Sequence, residues 1–102
     1  MANAVGCSLL LMQQLELVSV DGIRLDAAVH PPVGKQIRGT TIQAHGITAD
    51  MDEDGMFVQL AERLSDTGFT VLRFSFRGHG RSGSTQRGVT IAGEMLDLQA
   101  VL

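Results

Sequence analysis

Tryptophan and tyrosine are absent from this 102-residue chain, and four phenylalanines are its only aromatic side chains apart from histidine. Proteins that bind single-stranded nucleic acid use aromatic rings as stacking platforms for the bases. Lysine is also scarce, since Lys35 is the only one, and the arginines are scattered between Arg24 and Arg87 without forming a run. The formal net charge of −3 adds no attraction for phosphates. We therefore expect no nucleic acid partner.

Cysteine and long hydrophobic runs are scarce too. Cys7 is the only thiol, so no internal disulfide can form, which fits a reducing, cytoplasmic location. Its apolar surroundings would not stabilise a thiolate, and we interpret it as inert. No stretch approaches the roughly 18 apolar residues of a membrane-spanning helix, so no membrane partner is expected. Residues 1–14 lack the basic start and the cleavage site of a signal peptide, and we interpret them as an N-terminal extension.

The chain has enough apolar residues to pack a core, because hydrophobic residues make up 44% of it. Its 102 residues are one domain's worth or less, and we assign residues 15–102 to an incomplete domain. Two runs rich in β-branched and apolar residues, Leu15–Val20 and Ile23–Val29, flank an Asp21-Gly22 pair. Asp-Gly accepts the positive φ angles of a tight turn, so this arrangement predicts a β-hairpin. Pro31 and Pro32 end the second strand by removing backbone donors.

The remaining chain alternates between strand and helix. Strands are predicted over Gly39–Ala44 and Phe69–Phe74, with an amphipathic helix over Met56–Thr67 between them. This order predicts an α/β fold with a right-handed parallel crossover. Thr90 is a good cap for a last helix. Its apolar stripe consists of Ile91, Met95, Leu98 and Leu102.

Two local patterns are similar to ligand-binding loops but depart from them. The run from Gly78 to Gly83 has the glycine spacing of a dinucleotide-binding turn, yet the loop continues to Gly88 where a helix should begin at once. The acidic run Asp50–Gly55 matches the first half of a calcium loop, but Ala61 stands where the twelfth-position glutamate is needed. We interpret this run as the solvated N-terminus of a helix. Neither a cofactor nor a metal is expected.

The segments that end the two parallel strands are more specific. His45-Gly46-Ile47-Thr48 follows the third strand, and Arg77-Gly78-His79-Gly80-Arg81-Ser82 follows the fourth, one helix later. At this spacing the pair resembles the N-terminal third to half of an α/β-hydrolase, and it is most similar to the serine aminopeptidase-like and cinnamoyl-esterase-like branch. The resemblance covers about Leu15 to Leu102 and implies a partial α/β-hydrolase sheet.

The resemblance also implies site residues. In this fold a backbone N–H of the loop after the third strand stabilises the oxyanion that develops during acyl transfer. That donor would be the backbone N–H of Ile47, with His45 and Gly46 shaping the loop and His45 not acting as the catalytic base. Ser75 stands where the family usually has Asp, so a hydroxyl replaces a carboxylate that could anchor the following loop.

A nucleophile motif is missing, because Gly-x-Ser-x-Gly occurs nowhere in the sequence. The nearest approach, Gly80 to Ser84, has Gly83 directly after Ser82 and a serine in place of the last glycine. In the family the nucleophile follows a fifth strand, and the acid and the histidine come later, so all three would lie beyond Leu102. The 102-residue chain alone is therefore predicted to be inactive.

Functions of two classes remain open, and nucleotide binding is a third and least favoured one. The first is the N-terminal portion of a serine hydrolase that acts on carboxylic esters or similar acyl substrates and supplies the oxyanion-hole loop. The second is a truncated, non-catalytic remnant that acts as an interaction module. Without a fifth strand the edge of Gly39–Ala44 would be bare, which predicts self-association through that edge.

Overall fold

A computed structural model describes residues 12–34, 36–46 and 49–102. Four strands lie within these ranges: β1 (Gln13–Val18), β2 (Arg24–His30), β3 (Gly39–Ala44) and β4 (Phe69–Phe74). Two helices follow β3 and β4 respectively: α1 (Met56–Asp66) and α2 (Ile91–Val101). The strands form one mixed sheet in the order β1-β2-β4-β3. The predicted α/β class with a partial sheet is confirmed.

The predicted hairpin is present, with β1 antiparallel to β2 and Val18 opposite Arg24. The first strand ends earlier than its apolar run, because Ser19 turns inward and its hydroxyl accepts a hydrogen bond from the Ile23 N–H at 3.0 Å. It also begins earlier, at Gln13, inside the segment that the sequence assigned to the extension. The sheet therefore starts before the boundary predicted at residue 15.

One of the two interior strands of the sheet is β4, which pairs antiparallel with β2 and parallel with β3. Val71 and Phe74 of this strand are fully buried, as expected for an interior position. The other side of β3 pairs with no strand in the part of the chain that the structure describes. Gln43 of β3 is 5% exposed, and both polar atoms of its side chain lack a hydrogen-bond partner there.

Helix α1 packs on one face of the sheet through its buried Ala61 and Ser65, and the Ser65 hydroxyl donates a hydrogen bond to the Pro31 carbonyl. The loop before this helix is tied to the sheet by the buried guanidinium of Arg73. That group donates to the Met51 carbonyl at 3.1 Å and pairs with the Asp52 carboxylate at 2.6 Å.

Helix α2 begins as predicted, because the Thr90 hydroxyl accepts a hydrogen bond from the Gly93 N–H at 3.0 Å. Its apolar stripe, however, does not face the sheet, since Ile91 is 79% exposed and Met95 is 65% exposed. The inward face carries Gly93 and Asp97 instead. Neither helix that the structure describes has the length and apolar character that crossing a bilayer requires.

Candidate active-site rim

The carboxyl ends of β3 and β4 lie side by side, because the two strands are parallel and in register from Gly39–Phe69 to Ala44–Phe74. The ring of the histidine that follows β3 is hydrogen-bonded to Phe76, the second residue after β4. The Nε2 atom of His45 accepts a hydrogen bond from the Phe76 backbone N–H at 3.0 Å. The two strand ends therefore form one rim, as expected for the site edge of a parallel pair.

The second ring nitrogen of His45 is engaged as well, since Nδ1 lies 2.8 Å from the Gly46 carbonyl oxygen. A carbonyl oxygen only accepts, so these partners assign the proton to Nδ1 and leave Nε2 as the acceptor. The ring is 7% exposed and meets the Phe76 ring edge-on at 5.2 Å between centroids. Backbone groups thus use both nitrogens, and neither is left free to exchange a proton with a substrate.

The remaining predicted site residues divide between described and undescribed positions. Ile47, the predicted oxyanion donor, lies outside the described residues. Gly46 is exposed, and its N–H donates a hydrogen bond to the Oε2 atom of Glu53 at 2.9 Å. The acidic run before α1 is therefore in direct contact with the loop after β3, a contact that the sequence analysis did not predict.

A second histidine, His79, lies on the same rim with its ring centroid 5.1 Å from that of His45. Its Nδ1 lies 2.9 Å from the Arg77 carbonyl oxygen, which again assigns the proton to Nδ1. Its Nε2 atom is buried and has no hydrogen-bond partner among the residues that the structure describes. His79 therefore offers one unused acceptor.

Ser75 anchors the loop at the position where a carboxylate is usual in the resembled family. Ser75 is 1% exposed, and its hydroxyl accepts a hydrogen bond from the Met51 N–H at 3.0 Å. Its carbonyl accepts one from the Ser82 hydroxyl at 2.6 Å, and the Ser82 oxygen in turn accepts from the Asp26 N–H. The hydroxyl of Ser82 is thus fully used within the loop.

The residue that holds this loop to the rest of the fold is Arg77. Its guanidinium forms ion pairs at 2.8 Å with both Asp21 in the hairpin turn and Asp97 in α2. Hydrogen bonds from Arg77 hold the pKa of the Asp21 carboxyl well below its usual range, and the two carboxylates raise the pKa of Arg77. Asp97 was not predicted as a partner of this loop, because its only signal in the sequence is an acidic residue within an apolar helix.

Two cavities open at the rim. The first, which we call the aromatic cavity, has a volume of about 470 Å³ and is lined by His45, Gly46, Phe76, His79, Gln86, Arg87, Val89 and Glu94. The second, the acidic cavity, has a volume of about 450 Å³ and is lined by Ala49, Asp50, Glu53, Asp54, Gly78, His79, Gly80 and Gln86. They share His79 and Gln86, so they are neighbouring compartments of one site.

Metal-binding clusters were sought in the same region. Within residues 12–34, 36–46 and 49–102, no three His, Cys, Asp or Glu side chains come close enough together to hold a metal ion.

Solved structures of other proteins resemble this chain. An α/β serine hydrolase without a lid from Xanthomonas campestris shares 32% identity over 88% of this chain and 42% of its own, with a TM-score of 0.69. A Pyrococcus furiosus esterase shares 29% identity over 88% of this chain and 34% of its own, with a TM-score of 0.70. A Butyrivibrio proteoclasticus protein bound to ferulic acid shares 28% identity over 83% of this chain and 34% of its own, with a TM-score of 0.71.

The likeness extends over most of this chain but over less than half of each solved structure. No protein-family model matches the chain, and no curated protein matches it.

Proposed function

The chain is part of an α/β-hydrolase fold, and from this premise we propose that it is the N-terminal portion of a serine hydrolase that cleaves carboxylic esters or related acyl compounds. Its role there is to supply the oxyanion-hole loop that follows β3. The backbone N–H of Ile47 is the proposed donor, and His45 and Gly46 hold the loop in shape.

The observation that carries this proposal is the hydrogen bond from the Phe76 N–H to His45 Nε2. It ties His45, at the start of the loop after β3, to the segment that follows β4, and this supports the proposal that the loop presents its donor at the rim. Preorganised donors stabilise an oxyanion without reorganising during the reaction, which is why a fixed loop matters. The aromatic cavity beside the loop has space for an acyl group.

In the proposed reaction a serine oxygen attacks the substrate carbonyl, and the carbonyl oxygen gains negative charge that the loop N–H stabilises. Both nitrogens of His45 are bonded to backbone groups, so His45 supports the loop and does not take the proton of the nucleophile. Gly-x-Ser-x-Gly is absent from the sequence, so the nucleophile, its base and its acid are proposed to come from sequence outside these 102 residues.

Labelling with a fluorophosphonate tests this proposal most directly. We expect the purified 102-residue chain to remain unlabelled and not to hydrolyse a short-chain nitrophenyl ester. The DNA that follows codon 102 should then encode a strand, a Gly-x-Ser-x-Gly motif and later an Asp and a His. Stoichiometric label on a serine of this chain, with Ser82 and Ser84 the first to examine, would overturn the proposal.

A longer protein with that motif would allow the oxyanion donor to be tested. Replacing Ile47 with proline removes the backbone N–H, and loss of one such donor lowers kcat by about 100-fold or more. Ile47→Val keeps the N–H and a similar side chain, so it is the matched control and should retain activity. Equal activity of the two variants, with folding confirmed by circular dichroism, would exclude Ile47 as the donor.

A second candidate function is an interaction module without catalytic activity. It is favoured by the edge of β3 that pairs with no described strand and by the exposed Ile91 and Met95 of α2, which leave strand and helix surfaces available to a partner. The downstream sequence separates the two candidates, because a module requires no Gly-x-Ser-x-Gly there.

A further inference from the structure

Gly46, in the loop after β3, has both of its backbone polar groups engaged. Its N–H donates to Glu53 Oε2 at 2.9 Å, and its carbonyl oxygen lies 2.8 Å from His45 Nδ1. The same carbonyl accepts a hydrogen bond from the Ala49 N–H at 3.3 Å, which joins the chain on the two sides of positions 47 and 48. Of these partners, only Glu53 comes from another segment, the acidic run before α1.

A glycine at this position needs such a partner, because its own backbone is the least restrained. Without a Cβ, glycine visits more φ and ψ values than any other residue, so contacts must set the direction of the chain at Gly46. A backbone N–H that donates to a carboxylate forms a charge-assisted hydrogen bond, which is stronger than a neutral one. Glu53 forms no ion pair with any residue that the structure describes, so no arginine competes there with Gly46 for its carboxylate.

The backbone of Glu53 is itself held in an unusual conformation. Its φ is +47°, in the left-handed region that residues other than glycine seldom adopt. Such a conformation persists only where the surrounding structure enforces it, and it is common at functional sites. The residues before Glu53 are fixed to the sheet, because the Asp52 carboxylate pairs with Arg73 at 2.6 Å. The Met51 N–H also donates to the Ser75 hydroxyl, so the end of β4 sets the place of the Glu53 carboxylate.

The same contact limits which N–H groups of the loop can serve an oxyanion. Because the Gly46 N–H donates to Glu53 and the Ala49 N–H donates to the Gly46 carbonyl, both N–H groups that flank positions 47 and 48 are already used. An N–H carries one hydrogen, so a group bound to a carboxylate is not free for an oxyanion. The donor of this loop must then come from between them, where Ile47 is the proposed one.

We propose that Glu53 is a positioning residue of the hydrolase. Its carboxylate holds the Gly46 N–H, sets the direction of the loop after β3, and keeps that N–H out of the oxyanion hole so that a later one serves. Gly46 lines the aromatic cavity and Glu53 lines the acidic cavity, so their hydrogen bond joins the two compartments of the site. The effect on catalysis rests on the proposed function, whereas the restraint on Gly46 acts in the 102-residue chain by itself.

Amide hydrogen exchange of the full 102-residue chain, followed by nuclear magnetic resonance, measures the restraint. Glu53→Ala removes the acceptor, and we expect the Gly46 N–H to exchange about five-fold faster, the factor that one ordinary hydrogen bond provides. Glu53→Gln keeps an acceptor oxygen and should retain most of the protection. Asp54→Asn is the matched control for charge, since it removes the same charge from the next residue and tolerates the positive φ there. It should leave the exchange of Gly46 unchanged.

In a longer protein that carries the nucleophile motif, the same variants separate positioning from folding. Glu53→Ala should lower kcat about ten-fold, which is less than the loss of the donor itself. KM should stay within about two-fold of the parent, because the oxyanion forms only in the transition state. Glu53→Gln should retain most of kcat, and Asp54→Asn should match the parent. A role in folding alone would not divide kcat from KM in this way.

Unchanged exchange of Gly46 in Glu53→Ala, or equal acceleration in Glu53→Ala and Asp54→Asn, would overturn the restraint. Parental kcat of Glu53→Ala in an active longer protein would overturn the positioning role. The dispersion of the amide spectrum shows whether each variant is folded. If Glu53→Ala is not, Glu53→Asn takes its place, because asparagine tolerates a positive φ and its side chain is one methylene shorter. The proposed function fails separately, since the exchange of Gly46 does not depend on a Gly-x-Ser-x-Gly motif after codon 102.

Discussion

Asp97 accepts two hydrogen bonds from Arg77, one from the backbone N–H at 2.8 Å and one from Nε at 2.9 Å. Asp97 is completely buried, whereas Asp21, which the same guanidinium binds, lies at the surface. Helix α2 is positioned by this contact, and Gly93 permits it, since a Cβ there would lie 3.0 Å from an Arg77 nitrogen. One arginine thus fixes the hairpin turn, the loop after β4 and the last helix.

Replacing Asp97 with alanine should lower the free energy of unfolding by about 3 kcal/mol, because it leaves a buried arginine with one partner fewer. Urea unfolding followed by far-ultraviolet circular dichroism measures this, since the chain has no tryptophan for fluorescence. Gln59→Ala at an exposed position of α1 is the control and should stay within about 0.5 kcal/mol of the parent. If Asp97→Ala lowered the free energy of unfolding by less than the control does, the ion pair between Arg77 and Asp97 would contribute nothing to stability.

Gly78→Ala should destabilise the fold more than strain alone explains. Gly78 has a φ of +75°, and a Cβ there would lie 2.6 Å from Val89 and 2.7 Å from the Thr85 carbonyl oxygen. Gly22 has a similar φ of +88° but open space around it, so Gly22→Ala measures the cost of the backbone conformation alone. We expect Gly78→Ala to cost about 1–3 kcal/mol more than Gly22→Ala, as overpacking does. Equal urea midpoints for Gly78→Ala and Gly22→Ala would show that Val89 and Thr85 do not crowd a Cβ at position 78.

The pH dependence of stability should depend on His30. Burial, followed by the nearby charge of Arg73, lowers its pKa from 6.5 to about 4. Between these values the unfolded chain binds a proton that the folded chain does not, so the free energy of unfolding falls as the pH drops from 6.5 to 4. The loss attributable to His30 is on the order of 3 kcal/mol.

His30 Nε2 accepts a hydrogen bond from Arg73 Nε at 3.0 Å. His30→Gln tests the pH dependence, because the amide oxygen can accept the same hydrogen bond but does not titrate. Its urea midpoints between pH 6.5 and 4 should fall less steeply than those of the parent, while the two proteins should respond alike between pH 7 and 8. If the urea midpoints of the two proteins changed in parallel over the whole pH range, His30 would not determine how stability depends on pH. The carboxyl of Asp21 lies outside the window, since its pKa is held well below its usual range.

The sequence predicted the secondary structure well where local chemistry decides it. Asp21-Gly22 between two apolar runs and the proline pair after His30 define the hairpin, and the bounds of β3 and β4 agree with the structure. The start of β1 at Gln13 was missed, because the polar pair Gln13-Gln14 carries no strand signal, although both residues pair with β2.

Tertiary features of the site were harder to predict. An apolar stripe on α2 indicates a buried face, yet Arg77 draws Gly93 and Asp97 inward and turns Ile91 outward. The contact between Gly46 and Glu53 likewise joins residues on two loops, which no periodicity reveals. The resemblance named the rim residues, but hydrogen-bond partners such as Phe76 for His45 follow only from the fold.

We propose that the chain self-associates through the outer edge of β3, which pairs with no other described strand. An edge with unpaired backbone groups is a template for another strand, and a lysine placed on it opposes such pairing. Thr40 is exposed on β3, so Thr40→Lys should yield a smaller particle in light scattering than the parent at the same concentration.

The matched control is Gln13→Lys, which places the same charge on the opposite edge strand, β1, where Gln13 is also exposed. It should leave the size of the parent unchanged. A monomeric parent, or dissociation by Gln13→Lys and not by Thr40→Lys, would contradict association through β3.

The position of Arg77 between Asp21 and Asp97 also determines the order in which the fold can be completed. The β1–β2 hairpin requires only neighbouring residues and can form early, but its turn is fixed by Arg77, which lies 56 positions from Asp21 and 58 positions from Ser19. Contacts of such long separation slow folding, because the chain must close a large loop before it gains their energy. During synthesis on the ribosome, the contact between the hairpin turn and Arg77 can therefore form only after Arg77 has emerged. The contact between Arg77 and Asp97 can form only after α2 has emerged.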